Sequence, residues 1–554
     1  MRVQFDAWYR YDELTSLLEA WVAAFPTLCA LESIGQSHEG REIWLVTLTN
    51  RDTGPPEEKP AFFVQAQIHA VEYTATTAAL ALVERVLHGY GVDGRITRAL
   101  DTRCLYVVPR VSPDGAEAAL ADAHYVRSSL RAYPRADRQD GLHEEDVDGD
   151  GRVLMMRLRD PNGAWKAYAE DPRLLVPRDP EEAEGEFFRV LPEGTIQNYD
   201  GATIKIAPPF EGLDFNRNFP AFWQPESEQF GAGPYPTSEP ETQAVARAIV
   251  DRPNITGALD YHTFSGVHLR PYAIHPDEHF PTADLRAFQL IGDEATRLTG
   301  YPAVSIFHDF KYDPKKVTTG SFDEWLYEHH GLFAWTTEFW SPQRRAGLAD
   351  YHFIEWLRDH PVEDDVALLA LADEYGAYVD WYPFEHPQLG PVELGGWDLL
   401  GFWANPPFAL LEEEVTPHAD FALFHLLVSP LLAIRAAEAE PVGDGAFRVR
   451  AVVENTGFLP TSVTEKAVER KAVRPVEIEL ELAAEAELAS GEARVEIGQL
   501  DGRAQKRSLL WFGTDDSTSD RGKAEWVVKA PAGTRVRVVA RHQRAGTARA
   551  ELVL

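Results

Sequence analysis

The chain has 554 residues, enough for two or more domains with ample room for a buried core. Its composition, 44% hydrophobic and 25% charged, is that of a globular protein, with no apolar run long enough to span a bilayer. A formal net charge of −35 works against nucleic acid or anionic membrane as a partner, and two cysteines, Cys29 and Cys104, are too few for a disulfide framework or a cysteine zinc site. The start, Met1-Arg-Val-Gln-Phe-Asp-Ala-Trp-Tyr-Arg10, lacks the apolar core of a secretory signal, so a cytoplasmic location is expected.

From Tyr11 to Asn50 the pattern reads helix, strand, strand, with a turn over Gly35-Gln-Ser-His-Glu-Gly-Arg41. Ala61-Phe-Phe-Val-Gln-Ala-Gln-Ile68 has strand composition, and helical periodicity runs from Thr74 to Gly89. Between them stands His69-Ala-Val-Glu72, where an open α/β sheet collects its ligands. A further buried strand, Leu105 to Val111, is broken by Ser112-Pro-Asp-Gly115, and Tyr125-Val-Arg-Ser-Ser-Leu-Arg131 follows. Residues 132–209, rich in charge, proline and glycine, read as an insertion. Within it, Asp146, Asp148 and Asp150 take the first, third and fifth places of an EF-hand calcium loop and Gly151 the sixth. Arg157 stands where the bidentate glutamate belongs, so the expectation is divided between structural calcium and a plain Asp-Gly turn.

Helices are predicted over Ser238 to Val250, Asp284 to Thr299 and Ser321 to His330. Strands are predicted over Ile255 to Tyr261, ending at His262, over Leu269 to Ile274, and over Leu332 to Phe339, with Glu338 near the carboxyl end. Strands alternating with helices predict an α/β domain over residues 1–435, its mixed, largely parallel sheet covered by helices on both faces. An alanine-, glycine- and acid-rich stretch, 436–446, reads as a linker, and the period-two segments of 447–554 read as an accessory β-sandwich.

Three strand ends thus present His69 with Glu72, His262 and Glu338. A histidine and a glutamate three residues apart can reach one divalent cation, and a His, Glu, His set leaves a fourth position open for water, which is the catalytic type of zinc site. An unligated carboxylate nearby, Glu338, is the candidate to take the water proton. The His-x-x-Glu spacing recurs at His275 to Glu278 and His352 to Glu355, so the strand-to-helix setting is what singles out the first.

These motifs, in this order, closely resemble those of the zinc metallocarboxypeptidases of the carboxypeptidase A type, over roughly Tyr11 to Trp340. His69-x-x-Glu72 is similar to the family's first two ligands, Ser112-Pro-Asp-Gly115 to its Asn-Pro-Asp-Gly turn, and Asp214-x-Asn-Arg-Asn-Phe219 to its substrate clamp. His262-Thr-Phe-Ser265 resembles the third-ligand segment and Thr337-Glu338-Phe339 the catalytic glutamate strand. The resemblance implies an eight-stranded carboxypeptidase-like sheet, one catalytic Zn2+ on His69, Glu72 and His262, and a peptide substrate whose free C-terminal carboxylate is held by Asn216 and Arg217. It further implies Glu338 as the catalytic carboxylate and Arg127 as the oxyanion-stabilising residue, with Arg131 and Arg157 as rivals for that role. Tyr312 is the nearest counterpart of the family's mobile tyrosine, displaced from its usual spacing. Phe322 follows Ser321 where the family sets side-chain preference; it suggests apolar C-terminal residues, while Asp323 and Glu324 leave basic ones open.

Two other readings keep part of this pattern: a zinc amidohydrolase acting on small acylated amino acids or cell-wall peptides, and a non-catalytic peptide-binding protein. His275-Pro-Asp-Glu-His279 matches the inverted zincin order, but that chemistry needs a helix, and Pro276 and Pro281 bracket the segment.

Overall fold

The computed structural model describes residues 2–123, 125–313, 315–348, 351–505 and 517–554. Its centre is an eight-stranded sheet made of β1 (Cys29–Gln36), β2 (Glu42–Leu48), β3 (Ala61–Ala66), β4 (Cys104–Val108), β5 (Ile255–Thr263), β6 (Val267–Arg270), β7 (Ala303–Ser305) and β8 (Phe333–Phe339). The strands lie in the order β1-β2-β4-β3-β5-β8-β6-β7. The four middle strands are parallel, β6 pairs with β7 in parallel, and the joins of β1 to β2, β2 to β4 and β8 to β6 are antiparallel. Every residue of β3 and β5 is buried, as expected for parallel strands covered on both faces.

Alternation along β3 divides the core. Phe62, Val64 and Ala66 face helices Tyr11–Ala24, Tyr73–Gly89 and Phe408–Leu427, whereas Ala61 and Phe63 face helices Pro240–Val250 and Phe322–His330. Among the described residues no helix is long and apolar enough to cross a membrane.

The inserted residues 132–209 are not without order. Met155–Arg159, Trp165–Ala167, Leu175–Pro177 and Phe188–Pro192 join Tyr378–His386 and Gly390–Trp397 in a six-stranded sheet, and Gly141–Glu144 pairs with Gly194–Gln197. Toward the C-terminus, Leu432–Gly443, Ala446–Asn455, Arg521–Lys529 and Glu487–Ser490 form one four-stranded antiparallel sheet. Arg494–Glu496, Glu477–Glu481, Arg535–His542 and Gly546–Val553 form a second. Alternate residues such as Val449, Ala451, Val453, Trp526, Ile478 and Val538 close a core between them.

The stretch 436–446, expected as a linker, is instead a strand and its hairpin turn. Its acids are the exposed face of that strand: Glu438 lies opposite Arg450, and Glu440 opposite Arg448, whose guanidinium it binds at 2.5 Å. Acid-rich composition therefore marked one side of a hairpin rather than a flexible connector.

Candidate active site

The turn that carries His69 and Glu72 follows directly from β3. Gln67, in the left-handed region at φ 53°, reverses the chain, and its side chain braces the loop: the amide donates to the Ala70 carbonyl at 2.7 Å and its oxygen accepts from Arg110 at 2.8 Å. His69 and Glu72 then point inward at the start of helix Tyr73–Gly89, both buried. His262 on β5 and Glu338 on β8 are register partners in adjacent parallel strands, so their side chains share one face beside that turn.

The donor atoms converge. His69 Nδ1 is 2.8 Å from Glu72 Oε1, His262 Nδ1 is 3.0 Å from Glu72 Oε2, and the two Nδ1 atoms are 3.0 Å apart. Two ring nitrogens and a carboxylate crowded together in a buried space is the arrangement a cation resolves; nitrogen donors on one tetrahedral zinc, at about 2.0–2.1 Å each, stand a little over 3 Å apart. The residues present therefore fit zinc.

Each imidazole has a carboxylate behind it. His262 Nε2 lies 2.9 Å from Asp260 Oδ2, two residues back on the same face of β5, and His69 Nε2 lies 3.1 Å from Asp214 Oδ1. Neither carboxylate was assigned a role from the sequence. Burial opposes charge on His262, and Asp260 and Glu72 outweigh it, so its pKa stands above the ordinary value. Burial likewise opposes charge on Asp214, but Arg127, Arg217 and His69 hold its carboxyl well below the usual range.

Asp214 is also the junction of the remaining groups. Its Oδ1 accepts from the Asn216 N–H at 2.8 Å, capping the short 3-10 turn Phe215–Arg217, and its Oδ2 accepts from Arg127 Nε at 3.0 Å. Arg127 Nη1 lies 3.6 Å from Glu72. Of its two rivals, Arg131 is tied to Glu239 through two bonds at 2.8 and 2.6 Å, and Arg157 pairs with Glu393 at 2.7 Å in the insertion sheet, stacked on Phe188 and Trp381. Only Arg127 reaches the donor cluster.

Asn216 Oδ1 accepts from the Phe322 N–H at 2.9 Å, which leaves the amide nitrogen as a donor. Arg217 donates to its neighbour's carbonyl, Asn216 O, at 2.7 Å, and among the described residues no carboxylate lies within ion-pair distance of its guanidinium. The turn behind it needs glycine: at Gly320, φ 73°, an added Cβ would meet Arg217 O at 2.3 Å. Tyr312 is 58% exposed, and the charges of Glu338, Arg127, Arg217 and Glu72 act on its hydroxyl.

Phe322 departs from expectation. Its ring has no exposed surface and packs among Phe63, Phe219 and Trp325, because the first residue of its helix turns toward the sheet. It contributes a backbone N–H, not a pocket wall. The next two residues carry the free polarity: Asp323 Oδ2 and Glu324 Oε2 are buried without hydrogen-bond partners. Burial, with Asp323 adding and Arg217 opposing, pushes Glu324 up to about 8. Glu338 Oε2 is likewise enclosed and unpaired; burial pushes this carboxyl up, with Glu72 and Asp260 adding and His262 and Arg127 opposing.

The other sequence candidates fall elsewhere. His275 and His279 stack on each other, ring centroids 3.9 Å apart, around the 3-10 turn Asp277–His279 rather than on a zincin helix. His352 caps a short helix and Glu355 pairs with Arg358. Asp146 and Asp148 meet Glu193, which stands between the strands Phe188–Pro192 and Gly194–Gln197 and which the sequence did not suggest, with carboxylate oxygens within 4.8 Å of one another. Asp146 already accepts from the Gly149 and Gly151 N–H groups at 2.7 and 2.8 Å, and Glu193 from Val147 and Leu154 at 2.8 Å each, so the loop is held as an Asp-Gly turn by its own backbone.

Comparison with known proteins agrees with this geometry. The model of the family described as zinc carboxypeptidase matches residues 14–355, more than half of the chain, and a second model, for a domain of unknown function, matches 431–553. A zinc carboxypeptidase of Saccharothrix mutabilis subsp. capreolus is 26% identical over 121 residues, covering 22% of this chain and 28% of the relative. Carboxypeptidase B of Astacus astacus is 25% identical over 169 residues, covering 30% and 48%. These alignments therefore span less than half the length of either relative. The solved carboxypeptidase A of Helicoverpa armigera superposes with a TM-score of 0.42 at 16% identity, covering 67% of this chain and 74% of that one. By the family match over residues 14–355, the chain belongs to the zinc carboxypeptidase family.

Proposed function

We propose that this protein is a zinc-dependent carboxypeptidase that removes single residues from the free C-terminus of peptides. The observation that carries the reading is the Arg217 guanidinium, which has no carboxylate partner among the described residues, with the Asn216 amide nitrogen left as a donor. A planar guanidinium grips a carboxylate in a two-pronged fork, and an amide adds a third donor.

Zinc held by His69, Glu72 and His262 would supply a Lewis acid and a water of pKa about 7. Glu338 takes the proton of the attacking water at its enclosed Oε2 and returns it to the departing amine; its raised pKa suits a group that must both accept and release a proton near neutrality. Arg127, held by Asp214, faces the negative charge that grows on the scissile carbonyl oxygen.

The test is metal content by mass spectrometry, paired with mass analysis of a C-terminally varied peptide library with and without a chelator. About one zinc per chain and chelator-sensitive loss of single residues is the expected result. Zinc without trimming would overturn the peptide reading and favour a small-substrate amidohydrolase; no zinc would point to a binding protein.

A further inference from the structure

Glu72 stands where two roles meet that one side chain cannot fill. It is the N-cap residue of helix Tyr73–Gly89, a position whose side chain ordinarily accepts from an N–H of the first turn, yet its carboxylate is turned toward His69 and His262 and caps nothing. The cap comes from elsewhere. Asn405 Oδ1 accepts from the Thr74 N–H at 3.0 Å and from Thr74 Oγ1 at 2.9 Å, while Asn405 Nδ2 donates to the Val71 carbonyl at 2.8 Å. One amide thus grips the backbone on both sides of Glu72, from 331 positions beyond Thr74 and outside the stretch 14–355 that matches the family.

Asn405 is itself held in place. It has no exposed surface, its Nδ2 also donates to the Leu400 carbonyl at 3.0 Å, and the Leu400 side chain packs against the cluster of Val71, Tyr73 and Ala119. Pro406 and Pro407, whose rings fix φ, lead from it into helix Phe408–Leu427. On its other side the buried Phe402 stacks on Trp397, ring centroids 5.6 Å apart, at the end of the strand Gly390–Trp397 in the sheet that the insertion completes. A second amide holds the neighbouring carbonyl: Gln67 Nε2 donates to Ala70 O at 2.7 Å, and Gln67 Oε1 is fixed by Arg110 Nε at 2.8 Å and Thr76 Oγ1 at 2.5 Å.

We propose that Asn405, with Gln67, is a positioning residue for the metal. The two amides hold the Ala70 and Val71 carbonyls and the Thr74 N–H, so Glu72 stands in place as a ligand and its carboxylate is released from the capping role. The inference rests on the zinc reading and adds to it a source of ligand geometry from outside the sequence motifs. A turn fixed before the ion arrives need not be ordered by the ion, which raises affinity.

The experiment measures zinc affinity by competition with a coloured chelator, and the thermal midpoint with and without zinc, for the natural sequence, Asn405→Ala, Gln67→Gly and Asn254→Ala. Glycine suits the left-handed backbone at position 67, φ 53°, so Gln67→Gly removes the side-chain contacts without straining the chain. Asn254 is a buried amide that holds the Pro56 and Lys59 carbonyls at 3.0 and 2.9 Å, and it stands for a purely structural contact. Asn405→Ala and Gln67→Gly should each raise the zinc dissociation constant about 10-fold and shrink the rise in midpoint that zinc brings. Asn254→Ala should lower the midpoint equally with and without zinc and leave the affinity as it was. A dissociation constant for Asn405→Ala within about twofold of the natural one would overturn the assignment, as would an equal rise in Asn254→Ala. Should Asn405→Ala not fold, an unchanged affinity in Gln67→Gly would overturn it instead. Each of these results leaves the zinc site standing, whereas a natural sequence that binds no zinc would remove the site and the inference together.

Discussion

Asp214→Asn keeps the shape of a side chain that holds three parts of the site and removes its charge. The carboxylate touches His69 Nε2 at 3.1 Å, Arg127 Nε at 3.0 Å and the Asn216 N–H at 2.8 Å. Losing an outer carboxylate of this kind weakens metal binding by about 10–100-fold, equivalent to about 1.4–2.7 kcal/mol. The arginine contact is worth about 5 kcal/mol of gross attraction at 3.0 Å and an effective dielectric of about 20. Because a third of the Arg127 side chain is exposed, water returns much of that on substitution. The expected outcome is a zinc dissociation constant raised about 10–100-fold, read by competition with a coloured chelator. A further loss of kcat/KM should persist at saturating zinc, because Arg127 is no longer aimed. Zinc affinity unchanged within about twofold would refute the claim that Asp214 orients His69.

Arg217→Ala removes two charge-assisted hydrogen bonds to a terminal carboxylate, about 1.5–3 kcal/mol each, so kcat/KM on free-carboxylate peptides should fall at least about 100-fold. Amidated peptides should lose far less; equal losses would dismiss the clamp. Glu338→Gln should lower kcat by about 10²–10⁴-fold with zinc content unchanged, and full activity would take Glu338 out of the chemistry. Stability should also respond to acid through the buried histidines. Burial pushes His268 and His425 down to about 3 in the folded chain, against about 6.5 unfolded. Above pH 6.5 both states are neutral and neither histidine matters. Below it the unfolded chain binds protons first, so each histidine removes about 1.4 kcal/mol per pH unit down to about pH 3. The urea midpoint should therefore fall from pH 6.5 to 4.5, and His425→Phe, placed against Phe62 and Phe421, should lessen the slope; an identical slope would refute the assignment.

The site was most legible where local pattern fixes the position of a side chain. His69 and Glu72 sit in a strand, turn and helix whose order is written in consecutive residues, and His262 and Glu338 stand near the carboxyl ends of buried strands that the sequence pattern also marks. Asp260 carried a readable signal, since a residue two before a strand ligand shares its face. Asp214 did not: it lies 145 residues from His69 in sequence, and only the assembled sheet brings them together. Phe322 was misread by helix phase. One residue turns a helical side chain through about 100°, and here the phase puts the phenylalanine into the core. The insertion read as irregular because its strands are short and find partners in residues 378–397, some two hundred positions on.

The C-terminal sheets are bound to the catalytic half by polar groups that neither half satisfies alone. Arg544 is buried and has no carboxylate partner among the described residues; it donates to the carbonyls of His330 and Gly331 in the catalytic half, the latter at 3.2 Å, and of Ser462 at 3.0 Å. Asp284 accepts from the Glu465 and Lys466 N–H groups at 2.8 and 3.1 Å. Gly331 leaves no room for a side chain, because a Cβ would meet Ala467 N at 2.4 Å. Separating the halves would strand these groups at about 1–3 kcal/mol for each one that stays buried. The helix that ends at this joint, Phe322–His330, is the one that begins with the Phe322 N–H on Asn216 and with Asp323 and Glu324. The joint and the Asn216 contact therefore lie at the two ends of one nine-residue helix, so a single rigid element spans from the C-terminal sheets to the turn that carries Asn216 and Arg217.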